Sequence, residues 1–230
     1  MKTTLKLRNM LLVAGTIVAL ACLTGTAKAG PLTTYTGADN SVSSLAEMTN
    51  SVAAESAFAA AAPGLSIITF ETAVPSGVSI AGGSITNDSG CGALCGFNTT
   101  PGGSYFYLLD EGGSATFSFT TPISDFGAYI TGLQTDLVPQ ETLTFNDGSS
   151  ETIDTPASTG GGGAFIGFTD PGASITSVSY DATDDIVALD DVQYGSATST
   201  AVPEPSSVML LGTGIAGLAG LIRRRFAKAL

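Results

Sequence analysis

Ala115-Thr116-Phe117-Ser118-Phe119-Thr120 alternates apolar and hydroxyl residues with a period of two. That is the rhythm of a half-buried antiparallel strand. Glu141–Asn146 (ETLTFN) repeats it, and Asp147-Gly148 behind it reads as a hairpin turn leading into Ser150–Asp154. Working outward, Ser66–Phe70, Tyr105–Asp110, Ile123–Thr131, Ala164–Phe168, Ser174–Tyr180 and Ile186–Tyr194 are further strands. Gly102-Gly103, Gly112-Gly113, Pro139, Gly160 to Gly163 and Pro171-Gly172 separate them. About nine short strands in roughly 130 residues predict a mainly β fold, an antiparallel, jelly-roll-like β-sandwich over 65–195. Residues 30–64 precede it as a polar segment followed by an Ala-rich helix. Ser44-x-x-Glu47 matches a capping box for that helix, Pro63-Gly64 stops it, and it is expected at the domain edge.

The charge distribution excludes several chemistries. Among 230 residues there are 20 acids, 8 Lys and Arg, and no His. Lys2, Lys6, Arg8 and Lys28 lie near the start and Arg223, Arg224, Arg225 and Lys228 near the end. Between them every acid and no base is found, so Gly30 to Ile222 carries a net charge of −20. Nucleic-acid binding needs cations to neutralise phosphates. A Walker phosphate loop needs its lysine, and Ser-His-Asp or Cys-His catalysis and histidine zinc sites need histidine. Carboxylate, hydroxyl and backbone chemistry remain.

Both ends read as addresses. Residues 1–29 have a cationic start, an apolar stretch from Met10 to Leu23, and Ala27-Lys28-Ala29, the small-x-small pattern of a signal-peptidase site. Cys22 offers only a faint lipoprotein box, because Ala19 stands where an aliphatic residue is wanted. Residues 196–201 read as a linker. Pro203-Glu204-Pro205 then precedes an apolar run, 206–222, and Arg223-Arg224-Arg225. Seventeen helical residues span about 25 Å, near the lower limit for a membrane helix. The arginines place the tail in the cytoplasm and the domain outside.

The order Pro-Glu-Pro, Gly-rich apolar helix, Arg-rich tail over 202–230 resembles the PEP-CTERM sorting signal of bacterial surface proteins. The resemblance implies processing by exosortase, a membrane-embedded, transpeptidase-like cysteine protease, with recognition at Pro203, Glu204 and Pro205. It also implies a Gram-negative host that makes exopolysaccharide. The body, roughly 56–195, more loosely resembles a recurring domain of such proteins. The stretches that carry this are the Ala-rich run into Pro63-Gly64, Ile68–Glu71, Phe119–Ala128, Phe165–Phe168 and Leu189–Tyr194. An extracellular β-sandwich is implied, and no catalytic residue.

Four constellations bear on chemistry. Asp181, Asp184, Asp185, Asp190 and Asp191 crowd the last strand and the loop before it, with no cation to relieve their repulsion. Calcium takes oxygen ligands, and by analogy with sugar-binding sandwiches Glu71 with Asp190 and Asp191 is the candidate calcium set. The alternative is a solvated acidic face. Cys91 and Cys95, in an exported Gly-rich loop, are expected to form a local disulfide. Two carboxylates alone can hydrolyse glycosides if about 5–10 Å apart, but with so many acids some pair is always available. Finally, Tyr105, Phe106, Tyr107, Tyr129 and Tyr180 are candidates for stacking on sugars or for the core.

The sequence therefore predicts an exported, exosortase-processed, non-enzymatic surface or matrix protein. Its expected role is structural or adhesive, in the exopolysaccharide of a biofilm. A calcium-dependent carbohydrate-binding module is the alternative, and a carboxylate glycosidase the third. Exosortase and exopolysaccharide are the expected partners, with the inner membrane held through the C-terminal helix before processing. Nucleic acid is excluded.

Overall fold

The computed structural model describes residues 31–137, 142–146, 150–196 and Gly214. The signal-peptide residues Ala27 and Ala29, the Asp147-Gly148 turn, Pro203–Pro205, the 206–222 run other than Gly214, and Arg223–Arg225 lie outside the described residues. Residues 1–197 and 198–230 form separate units, and the following concerns the first.

Among the described residues twelve strands form two antiparallel sheets. The strands are β1 (Thr33–Asp39), β2 (Ser66–Ile68), β3 (Val78–Ala81), β4 (Ser84–Thr86), β5 (Phe106–Leu109) and β6 (Ser114–Ile123). They continue as β7 (Asp125–Leu133), β8 (Thr142–Asn146), β9 (Ser150–Asp154), β10 (Gly162–Thr169), β11 (Ile175–Asp181) and β12 (Val187–Gly195). The larger sheet runs β1-β10-β7-β12-β5-β4, with β2 also on β12; the smaller runs β3-β6-β11-β8-β9. From β6 onward the chain changes sheet at every step except β8 to β9, so successive strands wrap around one core.

The alternation in β6 places its side chains as a two-residue period requires. Ala115, Phe117 and Phe119 are buried. Thr116 faces outward, where its hydroxyl meets that of Ser179 across the β6–β11 pair at 2.8 Å. Phe117 meets Phe126 edge-on at 5.6 Å between ring centres, and Phe145 stacks on Phe168 at 4.2 Å, joining the two sheets. Burying a Phe side chain contributes about 1.5–3 kcal/mol, so this aromatic seam is the main apolar term of the sandwich.

Strands β7 and β10 are buried along their whole length. One face meets the smaller sheet. The other is covered by helix α1 (Thr49–Ala61), which builds a second apolar cluster from Val42, Met48, Phe58, Ala62, Tyr129 and Phe165. The helix therefore lies on the outer face of the larger sheet, over β1 and β10, rather than at a domain edge.

Three strands, β1, β3 and β4, arise where no strand was expected: β1 and β4 are largely polar, and the alternation of β3 (Val78–Ala81) is only four residues long. Edge strands need no strong apolar rhythm, because one face and one edge stay wet. The capping box is also absent as such. Residues Leu45–Glu47 form a 3₁₀ turn, Ser44 makes no side-chain cap bond, and α1 starts at Thr49. Glu47 instead accepts from the Ser43 backbone N–H at 2.7 Å and its hydroxyl at 3.1 Å. The helix is capped from a distance by Asp39 at the end of β1, whose carboxylate accepts the N–H groups of Asn50 (3.1 Å) and Ser51 (2.9 Å). Those are among the first helical N–H groups, which have no intrahelical partner.

Candidate functional site

Strand β12 pairs with β7 along one edge. Along the other it pairs with β5 through Val187–Leu189 and with β2 through Val192–Tyr194. Asp190 and Asp191 fall in the gap between β5 and β2. There the register with β7 slips, and Asp191 takes a left-handed backbone (φ +46°). This is a β-bulge, a feature that re-aims side chains. Both carboxylates are turned onto the loop Asn98–Tyr105, which fills the gap.

Asp190 is fully buried. Its Oδ2 accepts the Thr99 N–H at 2.7 Å, the Thr100 N–H at 3.1 Å and the Asn98 side-chain amide at 3.0 Å, and its Oδ1 accepts the Asp191 N–H at 2.8 Å. Asp191 accepts the hydroxyls of Thr99 (3.1 Å) and Thr100 (2.7 Å). Glu71, just after Phe70 in left-handed conformation (φ +59°), accepts the N–H groups of Ser104 and Tyr105, both at 2.6 Å. The Asn98 amide also reaches Glu71 at 3.2 Å and the Tyr105 carbonyl at 2.7 Å. The loop is thus pinned at both ends, with Asn98 as the tie between them.

Burial pushes the Asp190 carboxyl up to about 7; the Thr99 N–H opposes this, and the neighbouring Asp191 charge adds to it. Tyr129 is held well above the usual phenol range, first by burial and then by the charges of Glu55 and Asp191. Asp39 behaves oppositely. Burial works to raise it, but the N–H and hydroxyl groups of Ser51 and Asn50 outweigh that and lower it.

Of the five crowded acids only Asp190 and Asp191 act together. Asp185 is buried and accepts the Gln134 N–H (2.8 Å) and the Ile186 N–H (2.8 Å). Asp181 closes a local turn onto the Thr183 N–H (2.9 Å), and Asp184 is exposed. The cluster is neither one solvated face nor one site. Glu71, Asp190 and Asp191 do converge, but on hydrogen-bond donors: their oxygens face N–H and O–H hydrogens, which a cation would have to displace. Among the described residues no group of three or more carboxylates or thiols is placed to hold a metal ion. As arranged, calcium would have to compete with these protein donors. The raised Asp190 lies buried beneath Thr99 and Thr100.

Most of the tyrosines belong to the core. Tyr107, Tyr129 and Tyr180 are buried, and so is Phe106; Tyr107 packs between Phe70 and Phe117. Tyr105 is 42% exposed, at the end of the pinned loop. Cys91 and Cys95 are joined by a disulfide, with Cα atoms 5.6 Å apart, around a 3₁₀ turn (Gly92–Cys95). The segment after it lies directly on the sheet. A Cβ on Gly132 (φ +92°) would come within 2.6 Å of the Cys95 carbonyl carbon, and one on Gly96 (φ +113°) within 2.8 Å of the Ala188 nitrogen. Phe97 is then fixed by Thr131, whose hydroxyl accepts its N–H and donates to its carbonyl, both at 2.9 Å.

Two open clefts flank this loop and meet at Asn98. One, of about 630 Å³, lies between Ser44–Val52 and Asn98–Gly103; the other, of about 400 Å³, lies between Asn87–Ser89, Phe97 and Ser104. Sequence reading missed Asn98, Thr99, Thr100, Asp39 and Ser51. For Asn98, Thr99, Thr100 and Ser51 the signal was their neutrality: with no cation available, buried carboxylates such as Asp39 and Asp190 must be met by amides and hydroxyls.

The fold is an antiparallel β-sandwich. The carbohydrate-binding module TmCBM61, solved with β-1,4-galactotriose, is similar at 15% identity over 55% of this chain and 92% of its own, with a TM-score of 0.30. A mutant of the family 29 module CBM29-2 is similar at 11% identity over 60% and 97%, with a TM-score of 0.33. The K2 cleaved adhesin domain of Lys-gingipain is similar at 13% identity over 57% and 97%, with a TM-score of 0.32. The likeness concerns the fold alone. Residues 201–225 match the PEP-CTERM protein-sorting motif, so the chain carries a PEP-CTERM sorting signal. No curated protein matches the sequence.

Proposed function

We propose that the protein is a non-enzymatic structural or adhesive component of the exopolysaccharide layer of a Gram-negative bacterium. The observation that carries this is the sorting motif at residues 201–225, which implies export and sorting to the cell surface. Exosortase recognises Pro203, Glu204 and Pro205, while Arg223, Arg224 and Arg225 hold the tail in the cytoplasm until processing. Supporting the non-enzymatic role, Glu71, Asp39, Asp185 and Asp190 each accept backbone N–H groups of a loop, turn or helix end. Structural duties account for them.

The test is expression of the full chain and of a chain lacking 202–230 in a host with and without exosortase. Surface retention and growth of the polysaccharide layer are then scored. Retention that needs both the tail and exosortase is expected. Equal retention without the tail overturns the sorting role, and turnover of a polysaccharide by the purified chain overturns the non-enzymatic one.

A further inference from the structure

We infer that the two clefts meeting at Asn98 form one groove that binds a neutral polysaccharide chain. The inference rests on the proposed life of the protein in a polysaccharide layer and adds to it a site and a ligand class. The volumes, about 630 and 400 Å³, lie in the range of ligand clefts. Ser43 lines one and Ser44 the other, and likewise Ser104 and Gly103, so the clefts adjoin on the two sides of Asn98. Being open, they suit a polymer that enters and leaves better than a small molecule to be enclosed.

The walls define the chemistry. Leu45, Val52 and Pro101 offer apolar surface beside the hydroxyls of Ser44 and Thr49. Asn87 and Ser89 line the other half, with Phe97 at its base. Sugar rings present this same mixture, with C–H faces and hydroxyl edges. An anionic chain finds no partner, because no Lys or Arg occurs between Gly30 and Ile222. Among the described residues a cationic chain finds Asp88 as the one carboxylate lining either cleft. The shared wall is prepared in advance: Glu71, Asp190 and Asp191 fix Asn98–Tyr105 before any ligand arrives, which lowers the ordering cost of binding.

The test is native affinity electrophoresis of the full-length chain in gels cast with dextran, β-1,4-galactan or hydroxyethyl cellulose (neutral), alginate (anionic) or chitosan (cationic). Expected is retardation by at least one neutral polymer that survives about 0.5 M salt, where charge effects are screened. Ala46→Arg fills the larger cleft from an exposed position and Asn87→Ala trims the smaller. Each is expected to weaken binding, Ala46→Arg by roughly tenfold, while Thr152→Arg on the distant β9 edge leaves it unchanged. Retardation by no neutral polymer, or by chitosan alone and only at low salt, overturns the groove. So does binding that Ala46→Arg and Asn87→Ala both leave intact. Surface retention of Ala46→Arg, scored on whole cells, separates the two readings: it persists if only the groove is wrong.

Discussion

The Thr99 backbone N–H donates a 2.7 Å hydrogen bond to the buried Asp190 carboxylate across 91 positions of sequence. That bond links the bulge of the central strand to the loop filling the gap beside it. Its logic recurs through the domain. Where most proteins would pair a buried carboxylate with Arg or Lys, this one has no cation to use. Asp39, Asp185, Asp190 and Glu71 are met by N–H, hydroxyl and amide donors instead.

Asp190→Asn keeps the shape of the side chain but replaces one accepting oxygen with a donor facing other donors. A loss of about 2–4 kcal/mol is expected in urea unfolding of the full chain, since a buried hydrogen bond to a charged group and its unsatisfied partners are both involved. Hydrogen exchange at Thr99 and Thr100 should quicken. A change within about 0.5 kcal/mol, the scale of an ordinary surface substitution, would show that the loop is held by other contacts.

The same variant reports on pH. The folded Asp190 pKa, about 7, lies above its ordinary value of 3.8. Between these values the folded state holds the proton more often than the unfolded state. Stability from this group is therefore fully present below about pH 4 and falls as pH rises through about 7. The stability of the wild type minus that of Asp190→Asn should accordingly decline over that window. A flat difference would mean that the N–H donors fully offset burial.

Asp39 and Ser44 compete for the role of helix cap. Asp39→Ala is expected to cost about 1–3 kcal/mol, because the N–H groups of Asn50 and Ser51 lose their acceptor and the buried Ser51 hydroxyl keeps only its longer contacts to the Gly37 and Gly163 carbonyls. Ser44→Ala, with no cap bond to lose, should stay within about 0.5 kcal/mol. Equal losses in urea titration would refute the distant cap. Because Asp39 is shifted downward, its contribution is present above the ordinary carboxylate range and is lost as pH falls through the lowered value.

Calcium is tested by a thermal melt of the full chain. With the oxygens of Glu71, Asp190 and Asp191 facing protein donors, Ca²⁺ and Mg²⁺ at equal ionic strength should shift Tm alike, as screening of a −20 stretch does. A saturable excess with Ca²⁺ that Glu71→Gln abolishes would mean that the donors give way to the ion.

What was legible in the sequence was whatever local chemistry decides. Periodicity placed β8, β9 and β12 within a residue, and β6 to within one residue at its start and three at its end, because apolar alternation is the signal of a half-buried strand. The extent of β10, Gly162–Thr169, was read short because its glycines carry no periodic signal. The Pro-Glu-Pro, apolar and arginine order gave the address, because a sorting signal is read linearly. Glu71, Asp190 and Asp191 were grouped for a cation, and the structure places all three against the Asn98–Tyr105 loop.

Only the tertiary structure decided what the carboxylates do. Asp190 and Asp181 look alike in the chain, yet one is sealed under Thr99 while the other closes an exposed turn. The difference comes from a bulge between two short strands on one edge of β12, and from a loop ninety residues upstream that fits there. Composition fixed that no cation would meet these acids. Which amide or hydroxyl does so depends on register, burial and backbone direction, and these exist only once the two sheets have closed on their core.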